Sequence, residues 1–151
     1  MLKYMQKLII FLIFLFNFEN AFSNEEYFLT LRNEKVNLRQ GPSFDYPIKI
    51  FYKKKYLPVL IQDKSDNFRK IRDHENNSGW IHISQLSKKK AAIVIDDDLI
   101  LFSNSTIFSN PVAILKKGRL VKIKKCKGDW CKINTDEFKG WIKKESLWGL
   151  L

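Results

Sequence analysis

Few residues in this 151-residue chain have types and spacings that do chemistry. Both cysteines fall in KKCKGDWCKI, residues 124–133, as Cys126 and Cys131. Such a pair serves as a redox couple, as half of a metal site or as a covalent staple, and its spacing alone does not choose. A thioredoxin-type couple wants Cys-x-x-Cys ahead of a helix. A structural zinc wants about four ligands, and the two histidines, His74 and His82, lie far from the cysteines in sequence. Asp96-Asp97-Asp98 lacks the spaced ligands and the glycine of a calcium loop, so it reads as turn or edge-strand charge. His82 sits in Trp80-Ile81-His82-Ile83, on the same face as Trp80 if the segment is a strand, which suits a solvent-side or interface histidine. No Ser-His-Asp order with a nucleophile elbow, no His-Glu-x-x-His and no phosphate-cradling glycine loop is present. The residues point to no catalysis, no cofactor and no metal.

The elements that position these residues begin with a leader. Lys3 and Lys7 precede an apolar run from Leu8 to Phe18, and Ala21-Phe22-Ser23 forms a small-x-small cleavage site. This is the layout of a secretory signal peptide over residues 1–23, and the run is about half the ~20 residues a membrane-spanning helix needs. No cysteine follows the run, which argues against a lipoprotein anchor. The expectation is an exported protein, periplasmic or secreted, with no stable membrane insertion after cleavage. Cleavage removes Lys3, Lys7 and Glu19, two cations and one anion, so the formal charge of +11 becomes +10. Such a charge favours anionic partners and solubility. Export turns attention away from nucleic acid and toward phosphorylated envelope lipids, cell-wall peptides or an acidic protein.

The remaining chain repeats itself. NFRKIRDHENNSGWIHISQL (67–86) parallels DWCKINTDEFKGWIKKESL (129–147), matching Phe68 to Trp130, Ile71 to Ile133, Gly79-Trp80-Ile81 to Gly140-Trp141-Ile142 and Leu86 to Leu147. Upstream, Pro47-Ile48-Lys49-Ile50 matches Pro111-Val112-Ala113-Ile114, and Val59-Leu60-Ile61 matches Val121-Lys122-Ile123. Within each copy the apolar runs are short and alternate with polar residues, as in Val121-Lys122-Ile123-Lys124, and Asp, Asn, Ser, Gly and Lys clusters separate them. About five short strands per copy suggest a small barrel that leaves no open sheet edge. Residues 24–88 and 89–151 form the two units, with Ala91–Ile95 as the first strand of the second.

Val36-Asn37-Leu38-Arg39-Gln40-Gly41-Pro42-Ser43, followed by Gly79-Trp80-Ile81 and a closing Leu86, resembles a bacterial SH3 (SH3b) domain. The second copy, with Leu115-x-x-Gly118, Trp130-Cys131-Lys132-Ile133, Gly140-Trp141-Ile142 and Leu147-Trp148-Gly149, resembles it too. The tandem arrangement is similar to exported two-copy SH3 proteins of bacteria. The fold class expected is therefore all-β, two tandem small SH3-like β-barrels after a signal peptide. The second copy departs at Ile100-Leu101-Phe102-Ser103-Asn104-Ser105, where the first has the Asn-Leu-Arg-Gln-Gly-Pro turn. Gly41, able to take a positive φ, and Pro42, with its fixed φ, are expected to make a tight corner. Gly79 and Gly140 allow a strand to bend or a backbone to approach. Trp80 and Trp141 are expected to fill much of each small core.

Across the repeat, Cys126 falls on Lys64 and Cys131 on Arg69, flanking the same hairpin turn. The first copy makes that hairpin without sulfur. Residues paired across a short hairpin bring their Cβ atoms near the ~3.8 Å a disulfide prefers, and an exported protein meets an oxidising compartment. A structural Cys126–Cys131 disulfide is the expectation.

What remains is a binding module. Bacterial SH3 resemblance implies recognition of an envelope component such as peptidoglycan peptide or glycan. The competing reading is a periplasmic adaptor that docks a protein through strand edges or an aromatic groove. The candidate ligand groove lies on the first copy, at Arg39, the Phe44-Asp45-Tyr46 loop, Tyr52 and His82, where a rigid corner precedes a loop rich in aromatic and charged residues. Arg39 is placed to clamp a ligand carboxylate or to pair internally with Asp45 or Asp73.

Overall fold

The computed structural model describes residues 25–150, so the leader expected over 1–23 lies outside the described residues. Fourteen strands follow one another, with only two single-turn 3-10 helices, Ile83–Gln85 and Lys144–Ser146. In the first unit they are β1 Tyr27–Leu31, β2 Val36–Arg39, β3 Ile48–Tyr52, β4 Pro58–Ser65, β5 Phe68–Arg72, β6 Ser78–His82 and β7 Leu86–Ser87. The second unit repeats them as β8 Ala91–Val94, β9 Leu99–Phe102, β10 Pro111–Leu115, β11 Leu120–Lys127, β12 Trp130–Asn134, β13 Lys139–Lys143 and β14 Leu147–Trp148.

Each unit is one seven-stranded antiparallel sheet, and the two orders match strand for strand: β3-β2-β6-β5-β4-β1-β7 and β10-β9-β13-β12-β11-β8-β14. Seven strands replace the expected five. The extra elements include two-residue ends such as β7, too short to leave a periodic signal, which pair with the opening strand at Thr30↔Ser87 and Leu31↔Leu86. The hydrogen-bonded order has two ends, β3 and β7 in the first unit. It does not run as a full ring, so an edge strand persists where the sequence suggested closure. The long strands β4 and β11 each shift register at the same place, between Ile61 and Asp63 and between Ile123 and Lys125. A bulge bends a strand and raises its local twist, which lets one long strand serve both halves of a curled sheet.

Two apolar clusters result. Leu31, Val36, Leu38, Val59, Ile61, Ile71, Ile81 and Leu86 fill the first. Ala92, Val94, Leu101, Leu115, Val121, Ile133, Ile142 and Leu147 fill the second. Each such fully buried aliphatic side chain contributes roughly 1.5–3 kcal/mol.

The two tryptophans of the Gly-Trp-Ile motifs are a correction to the sequence reading. Strand alternation sends Gly79 and Ile81 inward, both buried, and turns Trp80 to the outer face, where it is half-buried; Gly140, Trp141 and Ile142 behave the same way. The glycines are inward because the neighbouring strand leaves no room. A Cβ on Gly79 would lie 2.6 Å from the Arg39 carbonyl oxygen, and one on Gly140 would lie 2.6 Å from that of Phe102.

The units pack on one another. Ile93 of β8 belongs to the first unit's core, with Leu120 packed against it. Phe28 meets Trp148 edge-on with ring centroids 4.9 Å apart. Thr30 Oγ1 donates to the Lys89 carbonyl of the connecting segment at 2.9 Å. Among the described residues no helix is long and apolar enough to cross a membrane.

Candidate functional site

The loop from Gln40 to Pro47 joins β2 to β3 and closes at its base by a bond from Gln40 N to the Pro47 carbonyl, 3.1 Å. Gly41 does not adopt a positive φ, contrary to the sequence expectation. Its role is spatial, since a Cβ there would meet the Tyr46 ring at 2.6 Å. Arg39 holds the loop from below. Its Nη1 donates to the carbonyls of Phe44, at 3.0 Å, and Tyr46, at 2.8 Å. Neither Asp45 nor Asp73 is its partner. Asp45 turns back on Ser43, whose Oγ donates to Asp45 Oδ2 at 2.9 Å and accepts from Asp45 N at 3.0 Å.

Held this way, Phe44 lies over the outer face of the sheet. Its ring centroid is 5.2 Å from that of Phe68 and 5.1 Å from that of His82, and Phe68 and His82 are 5.1 Å apart. The Arg39 Cζ stands 5.4 Å from the Phe44 centroid. Phe68 and His82 are register partners on β5 and β6, and they face away from the core. Phe68 is nonetheless buried, which follows from the loop folding down on it. Phe44 stays 62% exposed and Tyr46 47% exposed. The surface is an aromatic step with a cation at one side, a combination suited to the flat face of a sugar or a peptide group.

Two expected members behave differently. Tyr52 is buried, because it ends β3 with its ring inward, and its hydroxyl donates to Asp73 Oδ2 at 2.8 Å; it does not line the groove. His82 Nδ1 lies 2.7 Å from Ser84 Oγ and accepts from Ser84 N at 3.3 Å, which caps the Ile83–Gln85 turn. Phe68 is the residue the sequence reading missed. Its signal was its match to Trp130, an aromatic at the same outward strand position in both copies.

The second unit does not rebuild this surface. Phe102 takes the place of Arg39, pairing with Trp141 as Arg39 pairs with Trp80. Lys143 takes the place of His82 opposite Trp130. With no guanidinium beneath it, the 103–110 loop is tied instead by Ser109 and Asn104, and Phe108 stands 92% exposed.

The cysteines lie opposite one another in the β11–β12 hairpin and form a disulfide, with Cα atoms 4.0 Å apart. The matching pair in the first unit is Lys64 opposite Arg69. There Arg69 Nη1 donates to the carbonyls of Asp66, 3.0 Å, and Phe68, 2.8 Å, so a guanidinium ties the turn that sulfur ties in the second unit. Asp96–Asp98 form a turn, and Asp98 makes an ion pair with Lys116. Among the described residues no group of three or more His, Cys, Asp or Glu side chains is arranged to hold a metal.

Two solved structures that the chain partly resembles are NlpC2 and NlpC1 from Trichomonas vaginalis, each 14% identical with a TM-score of 0.37. The matches cover 82% and 85% of this chain and 48% and 47% of theirs, so the chain spans about half their length. No curated protein matches the chain in sequence. The family model for the bacterial SH3 domain matches residues 32–88 and again residues 108–149, one segment in each sheet. The chain belongs to the bacterial SH3 domain family.

Proposed function

We propose that the chain is an exported, non-catalytic binding protein of the bacterial envelope that recognises peptidoglycan peptide or glycan through its first unit. In this reading residues 1–23 are a cleaved leader, residues 24–88 and 89–151 are the two units, and each sheet wraps into a small SH3-like barrel. The protein then works in the periplasm or outside the cell. The observation that carries the binding role is the Phe44–Phe68–His82 cluster, exposed at Phe44 and fixed from below by Arg39. A loop whose backbone is already pinned loses little freedom when a ligand lands on it, which favours affinity. Arg39 adds a cation beside that step. The +10 charge expected after cleavage adds attraction to a carboxylate-bearing polymer. Co-sedimentation with purified cell wall, for the wild type and for Phe44→Ala with Tyr46→Ala, tests the reading.

The adaptor reading draws on a different surface. The edge strand β10 leaves Ile114 62% exposed, opposite Ile100 on β9. An unpaired strand edge with apolar side chains suits strand addition by a protein partner. An Ile114→Lys variant that keeps full wall binding assigns that edge no part in wall recognition.

A further inference from the structure

Tyr56, in the turn between β3 and β4, has three lysines around one ring. The Nζ atoms of Lys55, Lys89 and Lys122 each stand 5.4 Å from its centroid. They come from three places: the turn itself, the segment connecting the units, and β11 of the second unit. Neither unit alone assembles the group. Hydrogen bonds to backbone carbonyls hold its framework. Tyr56 N donates to the Leu31 carbonyl at 2.9 Å, Thr30 Oγ1 donates to the Lys89 carbonyl at 2.9 Å, and Ile123 N donates to the Lys90 carbonyl at 3.0 Å. Tyr56 is held at a φ of 64°, a conformation a bulky residue takes only under constraint.

Beside it runs an open groove of about 420 Å³ between the units. Lys53, Lys54, Lys55, Arg119 and Lys122 line it against Glu34 and Asp136, so positive charge is in excess. Lys122 has a partner in the exposed Asp136 at 3.5 Å, and Arg119 has one in Glu137 at 3.6 Å. Lys55 and Lys89 have no carboxylate within ion-pair distance among the described residues. The three ammonium groups share one ring, so their positive potentials add around it. An anion beside the ring is drawn by that shared field.

We propose that the lysine cluster around Tyr56, at the edge of this groove, is a second binding site, separate from the aromatic step, which takes a phosphate ester through Lys55, Lys89 and Lys122. A phosphate monoester carries roughly −1.5 to −2 charges at neutral pH and offers three oxygens, which suits several converging point donors better than a single carboxylate does. Lysine ammoniums also lack the planar fork that matches a carboxylate bidentately. The phosphate could be borne by a lipid headgroup or by a soluble sugar phosphate, and two probes separate these sources.

The test titrates the intact protein with glycerol 3-phosphate, followed by amide NMR shifts, and with phosphatidylcholine vesicles containing phosphatidic acid, followed by sedimentation. Citrate is the carboxylate control. The expected result is saturable binding of glycerol 3-phosphate with shifts at Lys55, Tyr56, Lys89 and Lys122, and weaker binding of citrate. The triple exchange Lys55→Gln, Lys89→Gln, Lys122→Gln should lower affinity by about tenfold or more, with single exchanges lowering it in the same direction. The control triple Lys64→Gln, Lys124→Gln, Lys127→Gln removes the same charge from exposed positions outside the groove and should lower it by less than about twofold. Lysine-dependent binding of vesicles as well as glycerol 3-phosphate assigns the phosphate to a lipid, and binding of glycerol 3-phosphate alone assigns it to a soluble ester. Equal losses in the two triples, equal binding of citrate, or no binding of either phosphate probe overturns the proposal.

Discussion

The hydroxyl of Tyr52 donates a 2.8 Å hydrogen bond to Oδ2 of Asp73, and both residues are buried. Asp73 also accepts from Glu75 N, Asn77 N and Asn77 Nδ2, so the carboxylate organises the β5–β6 loop from inside and Tyr52 is its anchor in β3. Tyr52→Phe should cost about 1–3 kcal/mol, the loss expected when a buried acceptor gives up a partner. Burial above all, with Asp73 next, raises the Tyr52 phenol well above its ordinary value. A raised phenol contributes stability that is whole below the unfolded value of about 10 and is lost as pH rises past it. In urea titrations the stability gap between wild type and Tyr52→Phe should stay constant from about pH 6 to about pH 9 and narrow above about pH 10. A gap that is flat through that upper range contradicts the assignment.

Close backbone approach sets the second prediction. Gly79→Ala and Gly140→Ala each push a methyl into a carbonyl oxygen and into Leu38 or Leu101, and each should destabilise by about 1–3 kcal/mol or more. Gly118 has open space around it and a φ of 80°, so Gly118→Ala should cost only the strain of that conformation, about 1 kcal/mol. Urea midpoints at unchanged slope make the comparison.

These glycines also show what was legible in the sequence. The repeat, the β character, the hairpin holding the cysteines and the need for glycine before each tryptophan were all visible, because each rests on local alternation or on one copy matching the other. The place of the tryptophans was misjudged, because size suggested core while strand parity set Trp80 and Trp141 on the outer face. In the candidate site, Arg39, Phe44 and His82 do come together. Tyr52 turns inward by the same parity, and Phe68 does not stand out in the sequence because its burial depends on a loop that folds back over the sheet. The Lys55–Lys89–Lys122 group could not be read from the chain, since it exists only where the two units meet.

The disulfide is an addition to a hairpin that the first unit makes without it. Reducing Cys126–Cys131 should leave the protein folded and destabilise the second unit by about 2 kcal/mol, as expected for so short a loop. The folded, non-reduced protein should show no labelled thiol. The converse also follows from matched register: Lys64→Cys with Arg69→Cys should form a disulfide on mild oxidation. Failure of that pair to close would mean that the two hairpins are not equivalent.

Export has a direct readout. Intact-mass spectrometry of the protein isolated from its native host should find an N-terminus at Asn24. Retention of Met1 on the native protein would contradict cleavage after Ser23.

The central claim is that the aromatic step of the first unit, and not charge alone, binds cell wall. The measurement is co-sedimentation with purified peptidoglycan at low and at high salt. It compares wild type with Phe44→Ala plus Tyr46→Ala, two side chains exposed enough to remove without opening the core. Wild-type binding should survive high salt in large part, and the double variant should lose about tenfold in affinity at both salt levels, as for removal of paired aromatic contacts. Binding that disappears in salt and ignores the two substitutions, or no binding in either condition, would contradict it.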